Sequence, residues 1–435
     1  MLRRVAQRLP RHRAAGFSGS GSGSGIAAGV RHRRLGTASG RDPLLYTPGP
    51  LTTSLGVKQA MLRDIGSRDP EMIAVVQEIR DGLLELGGVS QAAGWECVLM
   101  QGSGTFAVEG VVSSVVPPPE QGGKILVVSN GAYGLRMANM CKIHGIDHAV
   151  LSYGERDAPT AADVVGALER LGGDFSHVGI IHHETTAGTL NPVEEIGAAI
   201  RDYDPNISFI VDSMSGFGAY PVDLEAANVS YIVSSANKNI EGVPGFAFGL
   251  CRHDKLVSEG DNARTLSLDM KANWAGLEAG GQFRFTPPTH TLLAFHTALQ
   301  ELIAEGGQPA RLARYEANAA TLNEGMAAMG FEPFLEPDLQ GCIINTYLVP
   351  DDPAWDFDAF YAGLAERGAV IYPGKLTQDE CFRLGNIGRM FPHDMKFVTE
   401  CIRDILEGMG VALPVRQIAA SPSAPPEEWS CVAPR

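Results

Sequence analysis

Asp212 and Lys238 stand 26 positions apart, each just past a run of apolar and β-branched residues: Ile207–Asp212 for the acid and Tyr231–Ser234 for the amine. Lys238 is reached through Ser235-Ala236-Asn237 and is followed by the turn Gly242-Val243-Pro244-Gly245. Taken singly, an exposed lysine and an acid serving as a turn or cap residue are the ordinary readings of such positions. Earlier in the chain, Gln101-Gly102-Ser103-Gly104-Thr105-Phe106 makes a glycine turn with two hydroxyls, ahead of a helix starting near Phe106. Backbone N–H groups at a helix N-terminus, with Ser103 and Thr105, suit a phosphate, although such a turn also serves simply as a cap. Together, a primary amine for an aldehyde, an anion to face a pyridine nitrogen and a phosphate turn supply what pyridoxal 5'-phosphate needs.

These residues need a scaffold that brings strand ends together. Short runs rich in Val and Ile, namely Cys97–Met100, Ile125–Ser129, Val178–His182, Ile207–Asp212 and Tyr231–Ser234, alternate with helical patterns at Leu135–His144, Ala161–Leu171 and Val193–Tyr203. That alternation predicts an α/β fold with a mostly parallel sheet covered on both faces. Ligands of such sheets sit beyond the carboxyl ends of the strands, where Asp212 and Lys238 fall. Phe246–Cys251 follows too closely for a helical crossover and is expected to be antiparallel. After a long helical stretch from Thr289 to Met329, strands at Cys342–Val349, near Ala369–Tyr372 and at Phe382–Ile387 mix with helices at Phe357–Arg367 and Pro392–Met409, as in a smaller α+β domain. The boundaries expected are a leader over 1–42, a large domain over 43–300 that includes the N-terminal segment, a small domain over 301–413 and a disordered tail over 414–435.

Of 435 residues, 44% are apolar and 20% charged, which excludes a disordered chain, and the longest apolar runs are strand-sized, far below the roughly 20 residues of a membrane-spanning helix. The net charge is −15, but residues 1–41 hold nine Arg and no Asp, Glu or Lys, so the remainder carries −24. A body that acidic repels nucleic acid and anionic membranes. The seven Cys (Cys97, Cys141, Cys251, Cys342, Cys381, Cys401 and Cys431) are odd in number and lack a CxxC pair, so neither a disulfide framework nor a zinc site is indicated. The adjacent His182 and His183 point to opposite faces of a strand and are not expected to hold a metal. The Arg-rich leader with its Ser/Gly run from Ser18 to Gly25 has the composition of a transit peptide, and the basic start Met1-Leu2-Arg3-Arg4 favours the mitochondrial matrix. A flexible linker or an upstream start codon in a cytoplasmic protein is the alternative.

The ordered series Thr47-Pro48-Gly49-Pro50, Gly102-Ser103-Gly104-Thr105, Asn130-Gly131-Ala132-Tyr133-Gly134, Glu184-Thr185-Thr186-Ala187-Gly188, Val211-Asp212-Ser213, Ser234-Ser235-Ala236-Asn237-Lys238 and Phe382-Arg383-Leu384-Gly385 resembles the class V, fold-type I aminotransferases, from about Pro43 to Ala412. The resemblance implies a large domain with a seven-stranded-type sheet, a smaller C-terminal domain, pyridoxal 5'-phosphate as cofactor and a homodimer with shared active sites. It makes Lys238 the amine that takes the cofactor's aldehyde and shuttles a proton, and Asp212 the partner of the pyridine nitrogen. Tyr133 and Met214 would flank the ring, Thr185 would bond its 3′ oxygen, and Ser103, Gly104 and Thr105 would hold the phosphate, with Thr286 reaching it from the neighbouring subunit. Arg383 would clamp the substrate carboxylate.

Within the family, Arg284-Phe285-Thr286-Pro287-Pro288-Thr289-His290 and Gly374-Lys375-Leu376-Thr377 resemble members that use 2-aminoethylphosphonate and pyruvate, with alanine–glyoxylate or serine–pyruvate exchange as the alternative. Arg389 and Arg136 are the candidates for a phosphonate anchor. A cysteine-dependent lyase of the same class would need Cys381 as its reactive thiol. A silent cofactor-binding protein is disfavoured by the presence of both Lys238 and Asp212, and a dinucleotide-dependent dehydrogenase by the lack of G-x-G-x-x-G after the first strand.

Overall fold

The computed structural model describes residues 42–431 except 173, 377, 423 and 424. The basic leader up to Arg41 and the last four positions of the expected tail lie outside the described residues. β1 (Leu44–Tyr46) opens the described chain, and the helix Pro70–Leu86 follows, burying Met72, Val76, Ile79 and Leu83 at helical spacing. β2 (Trp95–Gln101), β3 (Lys124–Ser129), β4 (Asp147–Ser152) and β5 (His177–Ile181) come next. A short hairpin of β6 (His183–Glu184) and β7 (Thr189–Leu190) precedes β8 (Ser208–Asp212), β9 (Val229–Ser235) and β10 (Phe246–Arg252).

The larger sheet runs β4-β3-β5-β8-β9-β10-β2, with β4 through β9 parallel and β10 antiparallel to both neighbours. Helices Ala132–Ile143, Ala161–Arg170 and Val193–Tyr203 are the crossovers. Ile125, Leu126, Val127, Phe209, Ile210 and Val211 are each 0% exposed, because helices cover both faces of the sheet. Each such side chain contributes about 1.5–3 kcal/mol through burial, which explains why these strands read as unbroken apolar runs rather than alternating ones.

β11 (Ile344–Leu348), β12 (Ala369–Pro373) and β13 (Cys381–Gly385) form the smaller sheet, in the order β1-β12-β13-β11, against helices Phe357–Glu366 and Pro392–Met409. β1 pairs in parallel with β12, so Leu44–Tyr46 joins the smaller sheet, while the following helix Leu55–Ala60 packs on the helix Thr289–Glu305. The stretch from Thr289 to Met329 is two helices, Thr289–Glu305 and Gly307–Ala327, broken where Gly306 takes φ 115°, a left-handed conformation that ends the first. The tail also departs from expectation. β14 (Glu427–Cys431) pairs antiparallel with β4 and makes an eighth strand on that edge. Glu428 there forms an ion pair with Arg170, and Trp429 packs edge-on to His148 at 6.3 Å. Pairing saturates the β4 edge, whose N–H and C=O groups would otherwise lie open. Among the described residues no helix is long and apolar enough to cross a membrane.

Candidate active site

A cavity of about 200 Å³ opens at the carboxyl ends of the parallel strands. Ser103, Gly104, Thr105, Tyr133, Thr185, Asp212, Met214 and Lys238 all line it. Asp212 is the last residue of β8, and its neighbour β9 ends at Ser235, from which a short turn carries Lys238 back over the cavity. The 26 residues separating acid and amine are thus one crossover between adjacent strands, and strand adjacency converts that distance in sequence into one neighbourhood in space.

Burial pushes both groups towards their uncharged forms. Asp212 is 6% exposed and accepts one backbone N–H, from Met214, at 3.0 Å. Burial pushes its carboxyl up to about 7, with Glu184 adding to the rise, while the Met214 N–H and the cations of Lys238 and Arg136 pull against it. A buried carboxylate so sparsely bonded is complementary to a protonated ring nitrogen, which would supply both a donor and a charge. Burial also holds the Lys238 amine below the usual lysine range, and Arg383 and Lys375 add to that depression against the pull of Tyr133 and Asp212. Lys238 Nζ donates to the Pro48 carbonyl oxygen at 2.6 Å. The segment before Pro50 therefore forms one wall of the site, and Gly49, at φ 128°, passes so close that a Cβ there would lie 3.0 Å from both Cδ and Nζ of Lys238.

The glycine turn after β2 has the form of a phosphate cradle. Ser103 is the N-cap of the helix Gly104–Val115 yet makes no side-chain cap bond, whereas Thr160 and Ser54 at other helix starts do. Its hydroxyl and the first N–H groups of the helix are thus available to an anion. Arg136 Nη1 donates to Thr105 Oγ1 at 3.2 Å and brings a cation to the same turn. A Cβ on Gly104 would lie 2.1 Å from Met214 Sδ, so any side chain there displaces the thioether. Phosphate turn, flanking Tyr133 and Met214, acid and amine surround a single cavity, and the donor set fits pyridoxal phosphate.

Tyr133 sits in the first turn of the helix Ala132–Ile143, whose N-cap, Gly131, offers no side chain. Glu184, 0% exposed, replaces it by accepting from the backbone N–H groups of Tyr133 at 3.1 Å and Gly134 at 3.3 Å. A carboxylate at a helix N-terminus is favourable, and here it fixes the aromatic ring over the cavity. Burial alone would raise the Tyr133 phenol, but Lys375 and Lys238 outweigh it and the phenol falls below its usual range. Lys375 Nζ lies 3.6 Å from the centroid of the Tyr133 ring. Arg383 is 5% exposed and donates from Nη1 to the Thr185 carbonyl oxygen at 2.7 Å and from Nε to that of Pro373 at 3.2 Å.

Thr286, expected to reach the phosphate of a neighbouring subunit, is exposed and lies outside its own chain's cavity; its carbonyl accepts from Gln101 Nε2. Arg389 is exposed with its guanidinium over Phe391, so of the two anchor candidates only Arg136 reaches the cavity, on the phosphate side. Cys381 is buried and its thiol is raised by that burial, the reverse of an activated nucleophile. His183 lines the cavity with both ring nitrogens unpartnered and stacks on Tyr220 at 5.9 Å, while His182 Nδ1 bonds Ser213 Oγ at 2.9 Å. Pro48, Gly49, Glu184 and His183 thus belong to the site without having been given a role in it from sequence. The signals available were a glycine between two prolines and a carboxylate inside a buried polar motif.

The family model for aminotransferase class V matches residues 54–347. A 2-aminoethylphosphonate–pyruvate transaminase from Salmonella paratyphi C (strain RKS4594) is 46% identical over 365 residues, covering 83% of this chain and 97% of the relative. Among solved structures, pyridoxamine–pyruvate aminotransferase from Mesorhizobium loti superposes with a TM-score of 0.76 at 21% identity, over 86% of this chain and 94% of that one. An alanine–glyoxylate aminotransferase from Nostoc sp. gives 0.75 at 23% identity, over 84% and 96%. The two structures speak for the fold; the family model and the closer sequence similarity reach further, and they place the chain in the class V aminotransferase family.

Proposed function

We propose that the protein binds pyridoxal 5'-phosphate and moves the amino group of 2-aminoethylphosphonate to pyruvate, releasing phosphonoacetaldehyde and then L-alanine in a ping-pong cycle. The observation that carries the cofactor is the single cavity bounded by Lys238, Asp212 and the Ser103–Thr105 turn. The substrate pair is supported by the 46% identity to a relative of that name.

When bound, the cofactor supplies an aldehyde to hold the amino group and a ring that withdraws electrons from the substrate carbon. The chain's own residues do the rest. Lys238, uncharged more readily than a free lysine, takes a proton from the substrate carbon and returns it on the other side of the transfer. Asp212 holds the ring nitrogen protonated, and Tyr133 and Met214 flank the ring. Thr105, the helix N-terminus and Arg136 hold the phosphate, while Arg383 orients the anionic end of each substrate in turn.

A homodimer is part of the proposal. It is supported by Thr286, which lies outside its own chain's cavity, and by Phe106 and Phe285, which are 51% and 43% exposed beside the same turn. Targeting of the leader to the mitochondrial matrix is a separate proposal resting on the composition of residues 1–41.

The test is alanine formation from 2-aminoethylphosphonate and pyruvate, with alanine–glyoxylate and serine–pyruvate pairs assayed beside it. The phosphonate pair is expected to be fastest, and a clear preference for either other pair overturns the substrate assignment. Protein saturated with pyridoxal phosphate should absorb in the visible, and Lys238→Ala should lose both that band and turnover. A wild type that stays colourless with added cofactor refutes the whole reading.

A further inference from the structure

Lys375 was not given a role by the chemistry above, yet it stands in the site. It lies on the turn between β12 and β13, next to Gly374, whose N–H donates to the Cys381 carbonyl oxygen at 2.9 Å. A Cβ on Gly374 would lie 2.0 Å from Cys381 Sγ, so the backbone there is pinned against β13 and the following lysine is delivered to a fixed place. That place is over the Tyr133 ring, with Nζ 3.6 Å from the centroid. Arg383 is on the same hairpin, its own residue paired with Tyr372 across the two strands. Among the described residues no carboxylate lies within ion-pair distance of Lys375, and Lys238 and Arg383 are its cationic neighbours. A half-buried ammonium among like charges, partnered by the Tyr133 ring and phenol and by no carboxylate, still has donors to offer an anion.

The donor count says which anion. A guanidinium has five N–H donors, and Arg383 commits one at Nε and one at Nη1 to the carbonyls of Pro373 and Thr185. The remaining N–H groups can fork onto two oxygens, which satisfies a carboxylate. A phosphonate has a third oxygen and, like a phosphate group, a second negative charge. That oxygen needs a donor beside the fork, and an ammonium on a flexible stem can provide it where a second planar fork would not be required.

We propose that Lys375 is the phosphonate-selecting residue of the site, taking the third oxygen and second charge of 2-aminoethylphosphonate while Arg383 holds the two oxygens common to phosphonate and carboxylate. The inference rests on the substrate reading above and deepens it: one arginine serves both halves of the cycle, and Lys375 serves the phosphonate half alone.

The test uses unreactive anions on the cofactor-loaded protein. Ethylphosphonate and propionate, which lack the amine, are titrated by calorimetry into wild type, Lys375→Met and Lys375→Arg. Lys375→Met should weaken ethylphosphonate by about tenfold or more while leaving propionate within about twofold, as expected for loss of one charge-assisted bond, and Lys375→Arg should restore much of the difference. In turnover the same Met variant should raise KM for 2-aminoethylphosphonate and leave KM for pyruvate nearly unchanged. Equal loss of both anions, no loss of either, or no ethylphosphonate binding by wild type overturns the assignment. If wild type binds ethylphosphonate through Lys375 but makes no alanine from 2-aminoethylphosphonate, the anchor stands and the substrate reading alone fails.

Discussion

Arg383 Nη1 donates to the carbonyl oxygen of Thr185 at 2.7 Å, tying β13 of the smaller sheet to the loop that follows β5 in the larger one. Thr346 Oγ1 makes a second tie to the Ala187 carbonyl oxygen, also at 2.7 Å. Arg383 is therefore pre-oriented by the loop whose Thr185 lines the cavity, so a substrate clamp at Arg383 would be built together with the cavity rather than assembled on binding.

Arg383→Lys is expected to keep the charge and lose the fork. The prediction is a fall of about tenfold to a hundredfold in kcat/KM for pyruvate in the second half-reaction, the loss of one or two charge-assisted bonds. Cofactor affinity should change little. Single-turnover kinetics with the aminated cofactor form measure both, and an unchanged kcat/KM would show that the bulk of positive charge, not geometry, holds the carboxylate.

Asp212 makes the stability of the cofactor-free protein depend on pH. Its carboxyl titrates near 4 in the unfolded chain and is pushed up to about 7 by burial in the fold. Between those values the native chain holds the extra proton, so stability falls as pH rises through the window and the whole penalty, of the order of 4 kcal/mol at most, is in place above about 7. Cofactor-free Asp212→Asn should therefore gain on wild type in thermal midpoint from pH 4 to pH 7. With pyridoxal phosphate bound the order should reverse, because Asn cannot pair with a cationic ring nitrogen. Parallel melting curves for the two cofactor-free proteins would contradict the prediction.

Gly104→Ala should lower pyridoxal phosphate affinity by pushing the Met214 thioether, 2.1 Å from the added methyl, into the cavity. Overpacking of this kind costs about 1–3 kcal/mol, and Met214→Ala added to it should recover part of the loss. A fluorescence titration of cofactor binding reports both. Without recovery in the double variant, the damage lies in the helix N-terminus and not in the contact with Met214.

The sequence made Asp212 and Lys238 legible because both close buried apolar strands, where a polar residue is conspicuous and strand adjacency can be inferred. The crossover helices were legible for the same reason of period. Lys375 and Pro48 stood out only as members of family-like motifs, without a role: each reaches the site through a turn of the smaller sheet or a segment beside it, and no spacing rule links those to β9. Strand β4 was missed because polar residues flank its short apolar stretch. β14 was missed because Pro, Ser and Ala dominate the approach to it, and its pairing depends on an open edge that only the assembled sheet presents. Glu184 looked like one polar letter among several; its part is visible only once the N-terminus of the Ala132–Ile143 helix is seen to lack a cap of its own.

The path of residues Leu44 to Pro50 sets a hard limit on proteolytic trimming at the front of the chain. Leu44 already bonds through its N–H to the Gly368 carbonyl oxygen at 2.8 Å, and the Pro48 carbonyl receives the amine of Lys238. A cut within Leu44–Tyr46 would remove an edge strand of the smaller sheet, and a cut beyond Pro48 would also take away the carbonyl that holds the Lys238 amine.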